Sequence, residues 1–190
     1  MLPRAAYIHV PFCAHRCGYC NFTLVAGRDD LIGEYLQALE RELRTLGEPH
    51  EVDTLFFGGG TPTHLPPQRL EDLLTLVRRW LPLAPNAEFS VEANPCDINA
   101  DKAAVLATAG VTRISLGAQS FHAEKLRLLE RDHDADQIRS SVELIRPFAK
   151  SISLDLIFGI PNETLDQWQS DLAAALALEP DHLSAYGLTW

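Results

Sequence analysis

The chain has 190 residues, enough for one domain with a sizeable core and too few for two full ones. Apolar residues make up 46% and charged residues 22%, ordinary values for a folded protein, and there is no low-complexity run. Lys and Arg number 16 against 26 Asp and Glu, a formal charge of −10 with no basic cluster longer than Arg78-Arg79, which argues against nucleic acid or an anionic membrane surface as partner.

The stretch Met1–Tyr7 has no apolar region or cleavage signature of a secretion signal. No apolar run approaches the ~20 residues that cross a bilayer. A cytoplasmic location is therefore expected. In that reducing setting, clustered cysteines hold metal or do chemistry more often than they form disulfides.

The first expected strand is Ala5–Val10, and it runs into Cys13-Ala14-His15-Arg16-Cys17-Gly18-Tyr19-Cys20. Three thiolates on one short loop can converge on a single inorganic centre. One reading is structural zinc, with His9, His15 or Cys96 as fourth ligand, but zinc knuckles pair two short cysteine units and no second pair exists here. A redox disulfide between Cys17 and Cys20 lacks the thioredoxin-like context. An iron–sulfur cubane fits better, since three local cysteines leave one of its irons without a protein ligand. An open coordination position marks a reactive metal centre.

Strands and helices then alternate. A helix over Asp30–Leu46 places Leu31, Tyr35, Leu36, Leu39, Leu43 and Leu46 on one face, with Gly47 at the C-cap. The strand Asp53–Phe57 leads into Gly58-Gly59-Gly60-Thr61, whose glycines make either a tight turn or a close backbone approach to a ligand. After a helix over Pro67–Trp80 comes the strand Glu88–Glu92, where Glu92 either caps the next helix or accepts from a ribose. Cys96 reads as a loop thiol. A helix over Asn99–Ala109 ends at Gly110, and the strand Arg113–Gly117 leads to Gln119.

A broken helical region covers Ala123–Leu129 and Ala135–Ile145, with Arg131 between the two parts. Asp155 lies inside the apolar strand Ser151–Phe158, where a carboxylate is costly unless it is paired or faces a polar lumen or ligand. Arg131 is a candidate partner for it, or for a ligand carboxylate. Thr164 with Gln167 opens a helix running to Leu178 by a capping box, and His182–Leu188 is the sixth strand. His64, His122, His133 and His182 are lone histidines and read as ordinary polar residues.

Successive strands start 25 to 48 residues apart, which suits parallel strand–helix–strand units. An open doubly wound sheet and part of a TIM-like barrel both fit, and periodicity does not choose between them. No helix follows the sixth strand. Residues 1–190 are therefore expected to be one core domain truncated after that strand, with a C-terminal domain absent.

The C-x3-C-x-aromatic-C loop after the first strand of a (βα) repeat resembles the radical S-adenosylmethionine superfamily. The resemblance implies an α/β fold, a (βα)6 partial TIM barrel, with a [4Fe–4S] cluster on Cys13, Cys17 and Cys20. S-adenosylmethionine would chelate the open iron through its amino and carboxylate groups, and the reduced cluster would cleave the sulfonium to a 5′-deoxyadenosyl radical. Gly59, Gly60 and Thr61 would then hydrogen-bond the methionine amino group.

Tyr7–Cys13, Gly58–Thr63, Ser90–Pro95, Gly117–Phe121 and Asp155–Pro161 together resemble the oxygen-independent coproporphyrinogen III oxidase family, over essentially the whole chain. This implies S-adenosylmethionine contacts from Tyr7, Tyr19, Gly59, Gly60, Thr61, Glu92, Gln119, Arg131 and Asp155, with Thr189 as a further one. One branch of the family decarboxylates coproporphyrinogen III to protoporphyrinogen IX. The other consists of haem chaperones that pass haem to respiratory proteins. The oxidases carry an extra cysteine two residues after the third ligand, where this chain has Phe22, and a longer N-terminal extension. Both features favour the haem-chaperone branch, with the oxidase as the alternative. The implied partners are haem or a porphyrinogen, a respiratory haem acceptor and an electron donor. Any haem contacts would come from residues not in this chain.

Overall fold

A computed structural model describes residues 3–188. Six strands, β1 (Ala5–Val10), β2 (Val52–Gly59), β3 (Leu83–Ala93), β4 (Arg113–Gln119), β5 (Ser151–Phe158) and β6 (His182–Gly187), form one sheet in sequential order, each pair parallel. Between them run α1 (Ile32–Arg44), α2 (Pro67–Trp80), α3 (Ala100–Ala109), α4 (Ala123–Leu128) with α5 (Ala135–Ile145), and α6 (Leu165–Leu176).

Strand order decides between the two candidate folds. A doubly wound sheet reverses its order at a switch point and so carries helices on both faces. Right-handed crossovers stepping always in one direction place every helix on the same face and leave the other as a lumen. The fold is a (βα)6 partial barrel. Its outer strand residues Val10, Leu55, Phe57, Phe89, Val91, Ile114, Leu116, Ile152 and Leu154 are buried in one core with Leu70, Leu73, Leu106 and Ile138 of the helices. Strand side chains alternate between faces. The intervening positions hold Tyr7, His9, Phe56, Ser90, Glu92, Ser115, Ser153 and Asp155, so the inner face is polar where a strand buried on both sides would be uniformly apolar.

Several bounds shift by one or two residues, β2 and β4 each running two residues further than expected, and two elements depart more. β3 begins at Leu83, five residues early, because Pro85 and Asn86 (φ +64) read as breakers yet are taken up by a register shift against β2. α1 ends at Arg44, after opening through a 3-10 turn at Asp29–Leu31. Gly47 (φ +78) lies past the helix and its N–H donates to the Arg44 carbonyl at 3.1 Å. Gly110 caps α3 in the left-handed conformation (φ +79). The capping box at Thr164 is present, and a second one, Asp134 with Gln137, opens α5. Thr189 lies outside the described residues. Among the described residues no helix is long and apolar enough to cross a membrane.

Candidate functional site

At the end of β1 the chain turns into the cysteine loop. A short parallel pairing of Phe12–Cys13 with Val25–Ala26 closes the loop at its base. Inside it the Cys20 N–H donates to the Cys17 carbonyl at 3.0 Å. The Arg16 guanidinium donates to the carbonyls of Cys20 (3.1 Å), Phe22 (3.2 Å) and Leu24 (3.4 Å). One side chain thus fixes the return half of the loop. Cys13, Cys17 and Cys20 are free thiols in this structure. Burial pushes the Cys13 thiol up, and the nearby Cys20 and Cys17 add to the effect.

Two other segments meet this loop. Thr61 Oγ1 lies 3.5 Å from Cys13 Sγ. Arg131 donates to Cys17 Sγ (3.5 Å), Tyr19 Oη (3.4 Å), the Gly117 carbonyl (3.2 Å) and Asn94 Oδ1. Burial disfavours its charge, but Tyr19 and Cys17 outweigh that and raise its pKa. Burial also pushes the Tyr19 phenol up to about 12, with Arg131 opposing, so Tyr19 is neutral near pH 7. Arg131 Nε is buried with no partner among the described residues.

The glycine run lies against the same loop. Gly59 has φ +112, and a Cβ there would collide with the His9 imidazole. A Cβ on Gly60 would sit 2.7 Å from the Phe12 carbonyl oxygen, and one on Gly58 2.7 Å from Glu92 Oε2. The amides of the run are committed: Gly59 N–H to Glu92 Oε2 (3.1 Å), Gly60 N–H to the Val10 carbonyl (2.7 Å) and Thr61 N–H to the Phe12 carbonyl (2.8 Å). To a ligand the run therefore presents acceptors, its carbonyls and the Thr61 hydroxyl.

Glu92 does not cap α3; Asn99 does, accepting from the Lys102 N–H at 2.9 Å. Arg131 does not pair with Asp155 either. Asp155 accepts from Ser115 Oγ at 3.0 and 3.1 Å, deeper in the lumen. Burial pushes both carboxyls up, and for Glu92 the negative field of Asp155 adds to this. Tyr7 stacks on Phe56 at 5.6 Å and its hydroxyl lies 3.5 Å from His9 Nδ1, away from the cysteine loop itself. Gln119 closes β4 at φ +62, with Nε2 only 2.9 Å from where a Cβ on Gly117 would stand, on the side of Arg131.

The three candidate fourth ligands for zinc are engaged elsewhere. His9 Nε2 donates to the Thr23 carbonyl at 2.8 Å, and Nδ1 faces the Tyr7 hydroxyl. His15 lies 3.6 Å from Cys17 Sγ, yet its nitrogens face the Glu130 carbonyl (2.7 Å) and Asp132 Oδ2 (3.0 Å). Cys96 accepts from Asn94 Nδ2 at 3.2 Å. Among the described residues no three His, Cys, Asp or Glu side chains converge on the position of a single ion. Asn94, Arg16 and Ser115 also belong to the site. Only Asn94, directly after β3, carried a signal that would have singled it out.

A singly wound parallel barrel, with a three-cysteine loop after its first strand facing a glycine run after its second, defines the radical S-adenosylmethionine class. A model of the Radical SAM superfamily matches residues 7–175, and the chain belongs to that superfamily, whose cofactors are a [4Fe–4S] cluster and S-adenosylmethionine. Within it, the chain is 40% identical over 191 residues to the heme chaperone HemW of Bacillus subtilis (strain 168), covering 97% of this chain and 50% of the relative. It is 35% identical over 187 residues to an oxygen-independent coproporphyrinogen III oxidase of Bradyrhizobium diazoefficiens, covering 95% and 42%. The solved structure of coproporphyrinogen III oxidase (HemN) from Escherichia coli, a radical SAM enzyme, superposes with a TM-score of 0.90 at 32% identity, covering 98% of this chain and 44% of that one. The chain spans about half the length of the curated relatives it matches.

Proposed function

We propose that Cys13, Cys17 and Cys20 hold a [4Fe–4S] cluster beside a bound S-adenosylmethionine, and that the protein serves haem trafficking as a haem chaperone. The observation that carries the cofactor assignment is the meeting of three free thiols, an acceptor-lined glycine cradle and a buried arginine with an unpartnered Nε at one end of the barrel. The donor set fits the group: a cubane presents its irons at separate corners, so its thiolates need not meet at one point. When bound, the reduced cluster with S-adenosylmethionine supplies one-electron reductive cleavage of a sulfonium.

The residues of this chain bind and orient. The carbonyls of Gly59 and Gly60 and the Thr61 hydroxyl accept from the methionine amino group. Arg131 keeps its charge and turns its free Nε–H to the carboxylate. Glu92 and Asp155, held in the lumen by the Gly59 N–H and by Ser115, accept from hydroxyls of the nucleoside. Tyr7 and Gln119 wall the pocket, and neutral Tyr19 supports Arg131. The haem-chaperone assignment rests on the resemblance to HemW and on Phe22, 65% exposed at the exit of the cysteine loop where the oxidases carry cysteine. A cytoplasmic location, an electron donor and a respiratory haem acceptor belong to the same proposal.

Anaerobic iron–sulfur reconstitution of the full-length protein, assayed side by side for haem retention and coproporphyrinogen turnover, tests both levels. Replacing Cys13, Cys17 or Cys20 by Ala is expected to abolish iron incorporation, and full loading in all three variants would refute the cluster assignment. Haem retention without turnover is expected. Turnover without stable haem binding would move the protein to the oxidase side.

A further inference from the structure

A buried ion cluster outside the cofactor pocket joins Lys125 of α4, Glu163 of the β5–α6 turn and Asp171 of α6, with side chains 4%, 7% and 0% exposed. Lys125 Nζ donates to Glu163 Oε1 and, at 3.0 Å, to Asp171 Oδ2, and lies 5.4 Å from the centre of the Trp168 ring. Burying three charges is a poor device for stability, because desolvation consumes most of what their attraction returns. The surrounding bonds show what the cluster holds. Asp171 accepts from Ser120 Oγ (2.9 and 2.8 Å) and from the Phe121 N–H (2.6 Å), the two residues directly after Gln119. Gln119 is a non-glycine residue at φ +62, a conformation that persists only where its surroundings over-determine it. The second oxygen of Glu163 accepts from the N–H of Gly159, the residue following β5. On the α4 side, the carbonyls of Lys125, Arg127 and Leu126 receive the N–H groups of Leu129 (3.0 Å), Glu130 (3.1 Å) and Arg131 (2.9 Å), so Arg131 hangs from the helix that Lys125 pins.

We propose that Lys125, Glu163 and Asp171 are positioning residues that set the backbone of Gln119 and Arg131, and through them the affinity for S-adenosylmethionine. The cluster touches no cysteine; it ties together two rim segments of the barrel, the turn after β4 and the turn after β5. The inference rests on the cofactor assignment above and deepens it.

The test uses the anaerobically reconstituted protein and its Asp171→Asn and Lys125→Met variants. Three quantities are measured: iron content, unfolding temperature, and the dissociation constant of S-adenosylmethionine from its effect on the electron paramagnetic resonance spectrum of the reduced cluster. Iron content is expected to hold, while the dissociation constant rises about tenfold or more, as small misplacements of binding groups do. Gln119→Ala combined with Asp171→Asn is expected to lose less affinity than the two single losses added together, because Asp171 acts in part through Gln119. Glu163→Gln, which keeps an acceptor for Gly159 and removes the charge facing Lys125, gives the same reading should the other variants not fold. A lowered unfolding temperature with unchanged affinity would overturn the inference, and so would fully additive losses in the double variant. A parent protein that loads its cluster yet binds no S-adenosylmethionine would overturn the cofactor assignment along with it. Parent and variants binding equally well would overturn this inference alone.

Discussion

His133 sits just past Arg131 and is almost fully buried, with Nε2 donating to the Ala118 carbonyl at 2.9 Å and Nδ1 unpartnered among the described residues. Burial pushes its pKa down to about 4, against about 6.5 in the unfolded chain. Between those values the unfolded state binds a proton that the folded state refuses, so stability rises with pH across the window. The full effect is on the order of 3 kcal/mol. Glu92 and Asp155 work the other way: their folded pKa values are raised, so they lose stability as pH rises through them. Urea unfolding of parent and His133→Gln between pH 4 and 7 separates the two signs, and the parent's excess upward slope is expected to vanish in the variant. At this scale the cysteines were legible because they are neighbours in sequence. The bond from Arg131 to Cys17 was not, because it joins residues 114 apart that only the strand register brings together. For the same reason the pairing of Arg131 with Asp155 failed: charge matching pointed to it, and the lumen geometry gave Asp155 to Ser115 instead.

Helices and strands came out of the sequence with few errors, because apolar periodicity and caps are local. Pro67–Trp80, Ala135–Ile145, Ala5–Val10 and Ser151–Phe158 were read with their observed bounds. The missed start of β3 shows the limit: Pro85 and Asn86 are breakers by local chemistry, and only pairing with β2 keeps them in the strand. The two capping boxes stand at helices that border the site. Thr164→Ala and Asp134→Ala each remove a side chain that accepts from the N3 amide, and each is expected to cost about 1 kcal/mol in chemical denaturation. Effects below ~0.3 kcal/mol at both positions would mean that tertiary packing alone holds those helix starts.

At the scale of the molecule, the direction of winding was illegible. Strand spacing says that a crossover exists, not whether the next one steps the same way, and the barrel was expected only through resemblance. Among the described residues the sequential order leaves β1 and β6 each paired on one side only. Such edges template pairing with other chains. The 190-residue chain is expected to self-associate with rising concentration in sedimentation velocity, and Tyr186→Lys, on an exposed position of β6, to reduce it. A strictly monomeric parent over a hundredfold concentration range would show that these edges are blunted by twist.

Arg16 has a consequence for how the protein meets its inorganic partner. Its guanidinium reaches three carbonyls on the return half of the loop, while His15 fastens the outgoing half to Glu130 and Asp132. The thiols are therefore mounted on a frame made entirely of protein bonds, unlike a zinc finger, where the metal itself is the frame. Loading is then closer to seating a part in a machined socket than to folding a chain around a nucleus. On the proposed cluster assignment, the barrel is expected to keep its secondary structure when the iron is removed and to take iron up again when reconstituted, which circular dichroism of the iron-free protein checks.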